Sequence, residues 1–143
     1  MKAISQADYQ SLAEFRHQIR SFLHFSERAA RAAGLEPRQH QMLLGIKGLP
    51  SEMSPRVATL AERLKIQHHS AVELADRLAK AGLIQRKHGK IDRREALLSL
   101  TAKGERILRK LAVHHLAELR TAGPALLAAL DSVVQDSHGA SRK

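Results

Sequence analysis

Residues 54–100 constrain the fold most, because two short helical patterns are followed directly by two strand patterns. Ser54-Pro55 is typical of an N-cap and N1 pair and predicts the start of the first helix, whose apolar face ends at Leu64. The second helix is predicted over about 69–81, and Gly82 ends it. Its apolar residues repeat at helical spacing: Ala71, Leu74, Ala75 and Leu78.

The segment after Gly82 indicates which helix pair this is. Residues 83–87 and 95–100 each read as a strand, and residues 88–94 form a polar tip between them. The helix pair alone is as typical of an ordinary helical hairpin as of a helix-turn-helix. A β-hairpin directly behind it favours the helix-turn-helix, with the hairpin as its wing.

Long helical patterns flank this module. An apolar stripe over residues 10–33 ends at Gly34, which suits a C-cap, and Pro37 suits the first turn of a helix to about residue 47. On the other side, Thr101 is expected to cap a helix over about 102–121, and Gly123-Pro124 to break it before a short last helix, 125–134.

The sequence therefore predicts a mainly α fold with a small β-hairpin wing, in a single domain over residues 1–143. Residues 37–100 would form the winged helix-turn-helix module. Residues 10–33 and 102–135 would form N- and C-terminal helices that mediate dimerisation, since a winged module alone does not need such long flanking helices. Their apolar stripes could also be ordinary intramolecular core.

Charge indicates the class of partner. The net charge is +10 and the pI about 10.7, values typical of a protein that binds a polyanion, such as nucleic acid or, less often, an anionic membrane. Between Arg77 and Arg94 there are seven Lys or Arg and one acid, so the excess is concentrated at the second helix and the hairpin. That concentration favours nucleic acid over a merely solvated basic surface.

Several other classes are disfavoured. The absence of cysteine excludes disulfides, thiolate catalysis and cysteine-ligated metals, and it suits a cytoplasmic protein. The sequence has no Gly-rich phosphate loop, nucleophile elbow or HExxH motif, so an enzyme is not expected. It also lacks a signal-peptide h-region and any apolar run of about 18 residues, so no membrane association is expected.

Nine histidines raise the question of a metal site. His114 and Glu118, with His24 or His40 from another helix, could bind zinc. Without cysteine or a tight HxxxH spacing we expect no metal and no cofactor. Histidines that titrate near neutral pH and tune DNA affinity are an equal alternative.

The helix over 69–81 is expected to enter the major groove of DNA. With its apolar face buried, the opposite face would meet the bases and phosphates. We expect base contacts from His69, Ser70, Val72 and Glu73, and phosphate contacts from Arg77 and Lys80. Val72 could touch a thymine methyl group, and Glu73 could accept a hydrogen bond from cytosine N4 or pair with Arg77.

Four motifs in order resemble the MarR family of winged helix-turn-helix transcription regulators. They are LAERL (60–64), ADRLAKAGLIQR (75–86), DRR (92–94) and LTAKG (100–104), and the resemblance covers about residues 10–130. It implies a homodimer whose terminal helices interlock and whose two winged modules bind a roughly palindromic site in double-stranded DNA. Many relatives have Ser or Thr at positions 69 and 72 and a basic residue at 73, whereas this chain has His, Val and Glu.

The resemblance also implies roles for the wing. Arg94 or Arg93 would approach the minor groove, and Asp92 would pair with a wing arginine and hold the tip in shape. Lys87 and Lys90 would contact phosphates, and Arg86 is also expected to be a DNA-binding residue of the wing. The alternative is an exposed charged turn without such a role.

Members of the family often respond to a small aromatic ligand bound between the dimer helices and the winged module. The residues expected to line such an effector pocket here are Phe22, Phe25, Met42 and Ile46, although each could equally be ordinary core.

The prediction is thus a dimeric, sequence-specific transcription regulator, specifically a repressor released by a small-molecule effector. Two alternatives stay open. One is a non-specific or architectural basic DNA-binding protein, and the other is a winged module that binds protein, which the concentrated positive charge disfavours.

Overall fold

The structure, a computed structural model, describes residues 3–89, 91–92 and 94–139, and for residues 136–139 it describes the backbone only. The elements are α1 (Gln6–Ala32), α2 (Pro37–Lys47), α3 (Val57–Leu64), α4 (His68–Lys80), β1 (Ile84–His88), β2 (Ala96–Leu100) and α5 (Ala102–Gly139). The two strands form one antiparallel hairpin. The predicted fold class, mainly α with a small β-hairpin wing, is confirmed.

The chain divides into two compact units. One comprises residues 1–29 and 113–143, and the other residues 30–112. The second unit contains α2, α3, α4 and the hairpin, which together surround an apolar core. The largest completely buried side chains belong to it: Met42, Leu43, Leu60, Leu78 and Leu98.

Three helices, α1, α3 and α4, end in the same hydrogen-bonded motif, and after α1 and α4 it contains a glycine. After α1 the Leu35 N–H donates to the Ala30 carbonyl, and Gly34 has a φ of 84°. After α4 the Leu83 N–H donates to the Leu78 carbonyl, and Gly82 has a φ of 73°. Both are Schellman motifs, in which glycine adopts the left-handed conformation without steric cost. The prediction that Gly34 and Gly82 end their helices is confirmed.

The turn between α3 and α4 uses the same motif with lysine in place of glycine. The Ile66 N–H donates to the Ala61 carbonyl at 3.0 Å, and Lys65 has a φ of 57°. Among the described residues, Lys65 is the only non-glycine residue with positive φ. A side chain in this conformation costs about 1 kcal/mol, because Cβ approaches the carbonyl oxygen that follows.

The prediction that Ser54-Pro55 caps α3 is wrong, because α3 begins at Val57 with Arg56 as N-cap. Leu98 of β2 donates its N–H to the Pro55 carbonyl at 2.8 Å. This hydrogen bond holds residue 55 beside the hairpin and delays the start of the helix by two residues. β2 pairs on its other side with β1 in the register Ile84↔Leu100 to His88↔Ala96.

The first turn of α5 is joined to the base of the hairpin. Thr101 accepts a hydrogen bond from the Gly104 N–H at 3.1 Å, and its hydroxyl donates to the Gly82 carbonyl at 2.6 Å. This confirms Thr101 as the cap. A Cβ on Gly104 would lie 2.1 Å from the Leu83 carbonyl oxygen, so α5 and the chain before β1 pack backbone against backbone.

The predicted break at Gly123-Pro124 is also wrong, because α5 continues through Pro124 to Gly139. Proline removes one backbone donor from the helix and disfavours the preceding turn, but packing can outweigh that cost. Beyond the proline, Ala129 is buried. The hydroxyl groups of Ser132 and of Ser11, a residue of α1 in the same unit, lie 2.9 Å apart. Within the described residues, no helix is both long and apolar enough to cross a membrane.

Candidate nucleic-acid interface

Helix α4 has one buried face and one open face. Ala71, Leu74, Ala75 and Leu78 are buried in the core of their unit, as their spacing predicts. The opposite face places His69, Glu73, Arg77 and Lys80 in solvent, with Ser70 and Val72 half-buried beside them. The six residues of α4 that are expected to contact DNA therefore all lie outside its buried stripe.

Glu73 makes no ion pair with any described residue, including Arg77 one turn later. Its carboxylate is therefore available to accept a hydrogen bond from a partner molecule. A carboxylate on a surface this basic weakens phosphate binding, whereas it can accept a hydrogen bond from a donor group.

An ion pair joins α4 to the wing. The Arg86 guanidinium of β1 donates to the Asp76 carboxylate of α4, and both side chains are about half exposed. Arg86 is one of the residues expected to contact DNA, but in this structure its guanidinium is engaged within the protein. Asp76 and Arg86 thus hold the base of the wing against the exposed side of α4.

Hydrogen bonds connect the described residues of the wing tip. Asp92 accepts a hydrogen bond from the Arg94 N–H at 2.9 Å and lies 3.5 Å from the Arg94 Nε. The Gly89 N–H donates to the Glu95 carbonyl, and the Glu95 N–H donates to the Asp92 carbonyl. Arg94 nevertheless keeps 95 % of its side chain exposed, and Lys87 is exposed on β1. Lys90 and Arg93 lie outside the described residues.

A second ion pair at the wing was not predicted. The guanidinium of Arg56, the residue before α3, lies 3.1 Å from the carboxylate of Glu95, the residue before β2. Nothing in the sequence spacing relates two residues this far apart. The contact depends on Pro55 lying beside β2, which the sequence interpretation had assigned to a helix instead.

The four expected effector residues lie in different surroundings. Met42 and Ile46 are buried in the core of the unit formed by residues 30–112. Phe22 and Phe25 belong to the other unit, where both rings meet His115 edge-on, with centroids 6.0 and 5.5 Å apart.

A groove that the sequence did not indicate lies between α2 and the first turns of α5. Its volume is about 480 Å³, within the range of small-molecule sites. Leu44, Leu108 and Ala112 supply its apolar surface, and Lys47, Arg106 and Arg109 supply positive charge. The Lys47 ammonium lies 2.8 Å from the Glu105 carboxylate. Arg106 and Arg109 form no ion pair with any described carboxylate.

The suggested zinc ligands do not come together. Among the described residues, no group of three or more His, Asp or Glu side chains could hold a metal ion. His115, next in sequence to the suggested ligand His114, shares a hydrogen bond with the Ser26 hydroxyl at 2.8 Å, and its ring contacts Phe22 and Phe25.

Comparison with known proteins agrees with this architecture. Residues 33–95 match the sequence model of the MarR family, which comprises transcription regulators and not enzymes. No curated protein matches the chain by sequence.

Solved structures extend the similarity to the whole chain. AbsC, a MarR family transcriptional regulator from Streptomyces coelicolor, is 21 % identical, with a TM-score of 0.73 and 99 % of each chain covered. CouR from Rhodococcus jostii, bound to p-coumaroyl-CoA, is 21 % identical with a TM-score of 0.70, covering 96 % of this chain and 94 % of that one. An S. aureus MepR mutant bound to an oligodeoxyribonucleotide is 14 % identical with a TM-score of 0.63, covering 94 % and 98 %.

Proposed function

We propose that this protein, whose residues 33–95 match the sequence model of the MarR family of transcription regulators, is a homodimeric, sequence-specific repressor whose DNA affinity falls when a small molecule binds. The observation that supports it most is the open face of α4 beside an ordered basic wing. One helix of the module presents both base-reading and phosphate-binding side chains, and Arg94 projects from the adjacent hairpin.

In this proposal, α4 enters the major groove and the wing lies over the neighbouring minor groove. His69, Ser70, Val72 and Glu73 contact base edges, while Arg77, Lys80 and Lys87 contact phosphates. Arg94 reaches the minor groove, where the negative potential attracts a guanidinium. Arg86 acts through Asp76 by holding the wing against α4, and its contribution to DNA contact is indirect.

Dimerisation is supported by the surface of the unit formed by residues 1–29 and 113–143. Large apolar side chains stay exposed on both of its helices, and a soluble protein rarely leaves so many uncovered. They are Tyr9, Leu12 and Leu23 on α1, and Val113, Leu116, Leu127, Leu130 and Val134 on α5. A second copy of the chain would cover them and place two α4 helices on a roughly palindromic site.

The effector is proposed to be a small aromatic acid or its thioester. The groove between α2 and α5 combines an apolar surface with Arg106 and Arg109, which suits an apolar ring that carries an anionic group. CouR, a relative with this fold, is bound to such an aromatic thioester. Phe22, Phe25, Met42 and Ile46 remain the alternative lining expected from the sequence.

Fluorescence-anisotropy titration tests the DNA-binding proposal. The full chain is titrated against duplex DNA from upstream of its own coding region and against a scrambled duplex of equal length, across a range of salt. We expect at least a hundredfold preference, about 2.7 kcal/mol, for the upstream duplex. If each protomer neutralises about four phosphates, log K falls with log salt at a slope near −7.

The alternative is a basic architectural protein that binds by charge alone. It predicts equal affinity for both duplexes with the same steep salt slope. Val72→Ala and Glu73→Ala distinguish the two functions, because these substitutions change the preferred DNA sequence only if α4 contacts the bases. If both variants and the wild type select the same sites from a random library, the base-reading role of α4 is wrong.

A further inference from the structure

The tip of the wing presents an apolar side chain among its charges. Ile91 lies between the two strands and exposes 103 % of its reference area. Every other exposed large apolar side chain in the described part of the chain is 68 % exposed or less. Single exposed apolar residues need no explanation in general, so the argument depends on where this one lies.

The described residues on either side of Ile91 make close contacts across the tip. A Cβ on Gly89 would meet the Asp92 carbonyl oxygen at 2.7 Å and Glu95 Oε2 at 2.9 Å, so only glycine fits without displacing the tip. Asp92 accepts the Arg94 N–H, and Gly89 and Glu95 bond across the loop. These contacts join the two sides of the tip and leave the Ile91 and Arg94 side chains almost completely exposed.

A charged wing tip gains affinity from the phosphates, and this gain disappears as salt rises. An isoleucine gains nothing from phosphates. Its favourable surroundings in a duplex are the deoxyribose C–H groups that form the walls of the minor groove, which come closest together where the groove is narrow. Minor-groove proteins use isoleucine among their apolar contacts to DNA.

We propose that Ile91 packs between the sugar walls of the minor groove beside Arg94 and gives the wing a salt-independent preference for narrow, A/T-rich DNA. This inference rests on the proposed function, because it requires the wing to lie over the minor groove. It adds a contact residue that reads groove width by shape, whereas Arg94 responds to the groove's potential.

The experiment compares Ile91→Ala, Ile91→Val and Arg94→Ala with the wild-type chain. Two duplexes share the upstream sequence, but the segment under the wing is an A/T run in one and a G/C run in the other. The guanine N2 amine fills the floor of the G/C groove and keeps the apolar side chain out. Anisotropy is recorded on both duplexes at several salt concentrations.

We expect Ile91→Ala to weaken binding to the A/T duplex about tenfold, and to the G/C duplex less than about twofold. The salt slope should stay unchanged, because no ion is displaced. Ile91→Val, which keeps most of the apolar area, should stay within about threefold of wild type on both duplexes. Arg94→Ala should instead reduce the salt slope by about 1 for each protomer.

Two results would overturn the proposal while leaving the proposed function intact. One is equal binding by Ile91→Ala and wild type on the A/T duplex. The other is a loss of the same size on both duplexes. A wild-type chain that prefers neither upstream duplex over scrambled DNA would instead overturn the proposed function, and the Ile91 contact with it. Since the Ile91 side chain is fully exposed among the described residues, truncating it should leave the fold intact, and the urea midpoint of each variant checks this.

Discussion

At the scale of single residues, the contact between Gly104 and Leu83 limits what the chain tolerates. A Cβ at Gly104 would lie 2.1 Å from the Leu83 carbonyl oxygen and 3.4 Å from its Cα. We expect Gly104→Ala to lower the free energy of unfolding by about 2–3 kcal/mol, because backbone must shift to relieve the overlap. Urea denaturation measures it. Gly123→Ala in the same helix meets nothing within 4 Å and should change stability by less than about 1 kcal/mol.

At Lys65, by contrast, a substitution is expected to raise the free energy of unfolding. Its φ of 57° is one that glycine adopts freely. Lys65→Gly should therefore raise the free energy of unfolding by about 0.5–1 kcal/mol, net of the extra entropy of an unfolded glycine. Gly82→Ala, at a φ of 73° with no atom near the added Cβ, should lower it by about 1 kcal/mol. Equal thermal stability of Lys65→Gly and wild type would show that the strain at Lys65 is no larger than the entropic cost of glycine.

At the scale of elements, Asp76 and Arg86 couple the wing to α4. Both side chains are about half exposed, so solvent screens the pair and its coupling should be only about 0.5 kcal/mol. A double-mutant cycle with Asp76→Ala and Arg86→Ala measures it by urea denaturation at low salt and again at high salt, where the coupling should shrink. Additive single-mutant effects at low salt would contradict the pairing.

The elements also show how far sequence reasoning reaches. Apolar spacing predicted α4 to within a residue, because its side chains are sorted by burial within the helix itself. The two strands were also predicted to within a residue, although in β1 only Ile84 is buried. The start of α3 and the path of α5 through Pro124 were missed. In both cases a distant segment decides the outcome: β2 bonds the Pro55 carbonyl, and packing within its unit outweighs the local cost of Pro124.

Only part of the candidate site could be predicted from the sequence. The open face of α4 follows from its buried stripe, so its outward residues could be deduced from the sequence. The ion pairs Asp76–Arg86 and Arg56–Glu95 could not, since each joins side chains from two elements whose relative placement the spacing does not encode. The groove lined by Arg106 and Arg109 could not be predicted either, because its residues come from two helices whose relative placement the sequence spacing does not encode.

At the scale of the whole molecule, the exposed apolar residues of α1 and α5 predict the oligomeric state. Leu127 is 68 % exposed, and burying it against a second copy would contribute about 1.5–3 kcal/mol. Leu127→Glu should shift sedimentation from dimer to monomer at micromolar concentration and weaken operator binding. Thr121→Glu, at a position that is already polar and exposed, is the control. A wild-type chain that sediments as a monomer at all concentrations would contradict the proposed dimer.

The backbone contact at Gly104 also has a genetic consequence. Every missense change in that codon adds at least a methyl group, so all such alleles share one defect, whatever residue they encode. They would lower the amount of folded protein without altering any DNA contact. A screen for loss of the proposed repression would therefore recover Gly104 alleles together with those at the DNA interface, and overexpression would separate the two classes. It would restore the proposed repression only where the surviving molecules still recognise the operator.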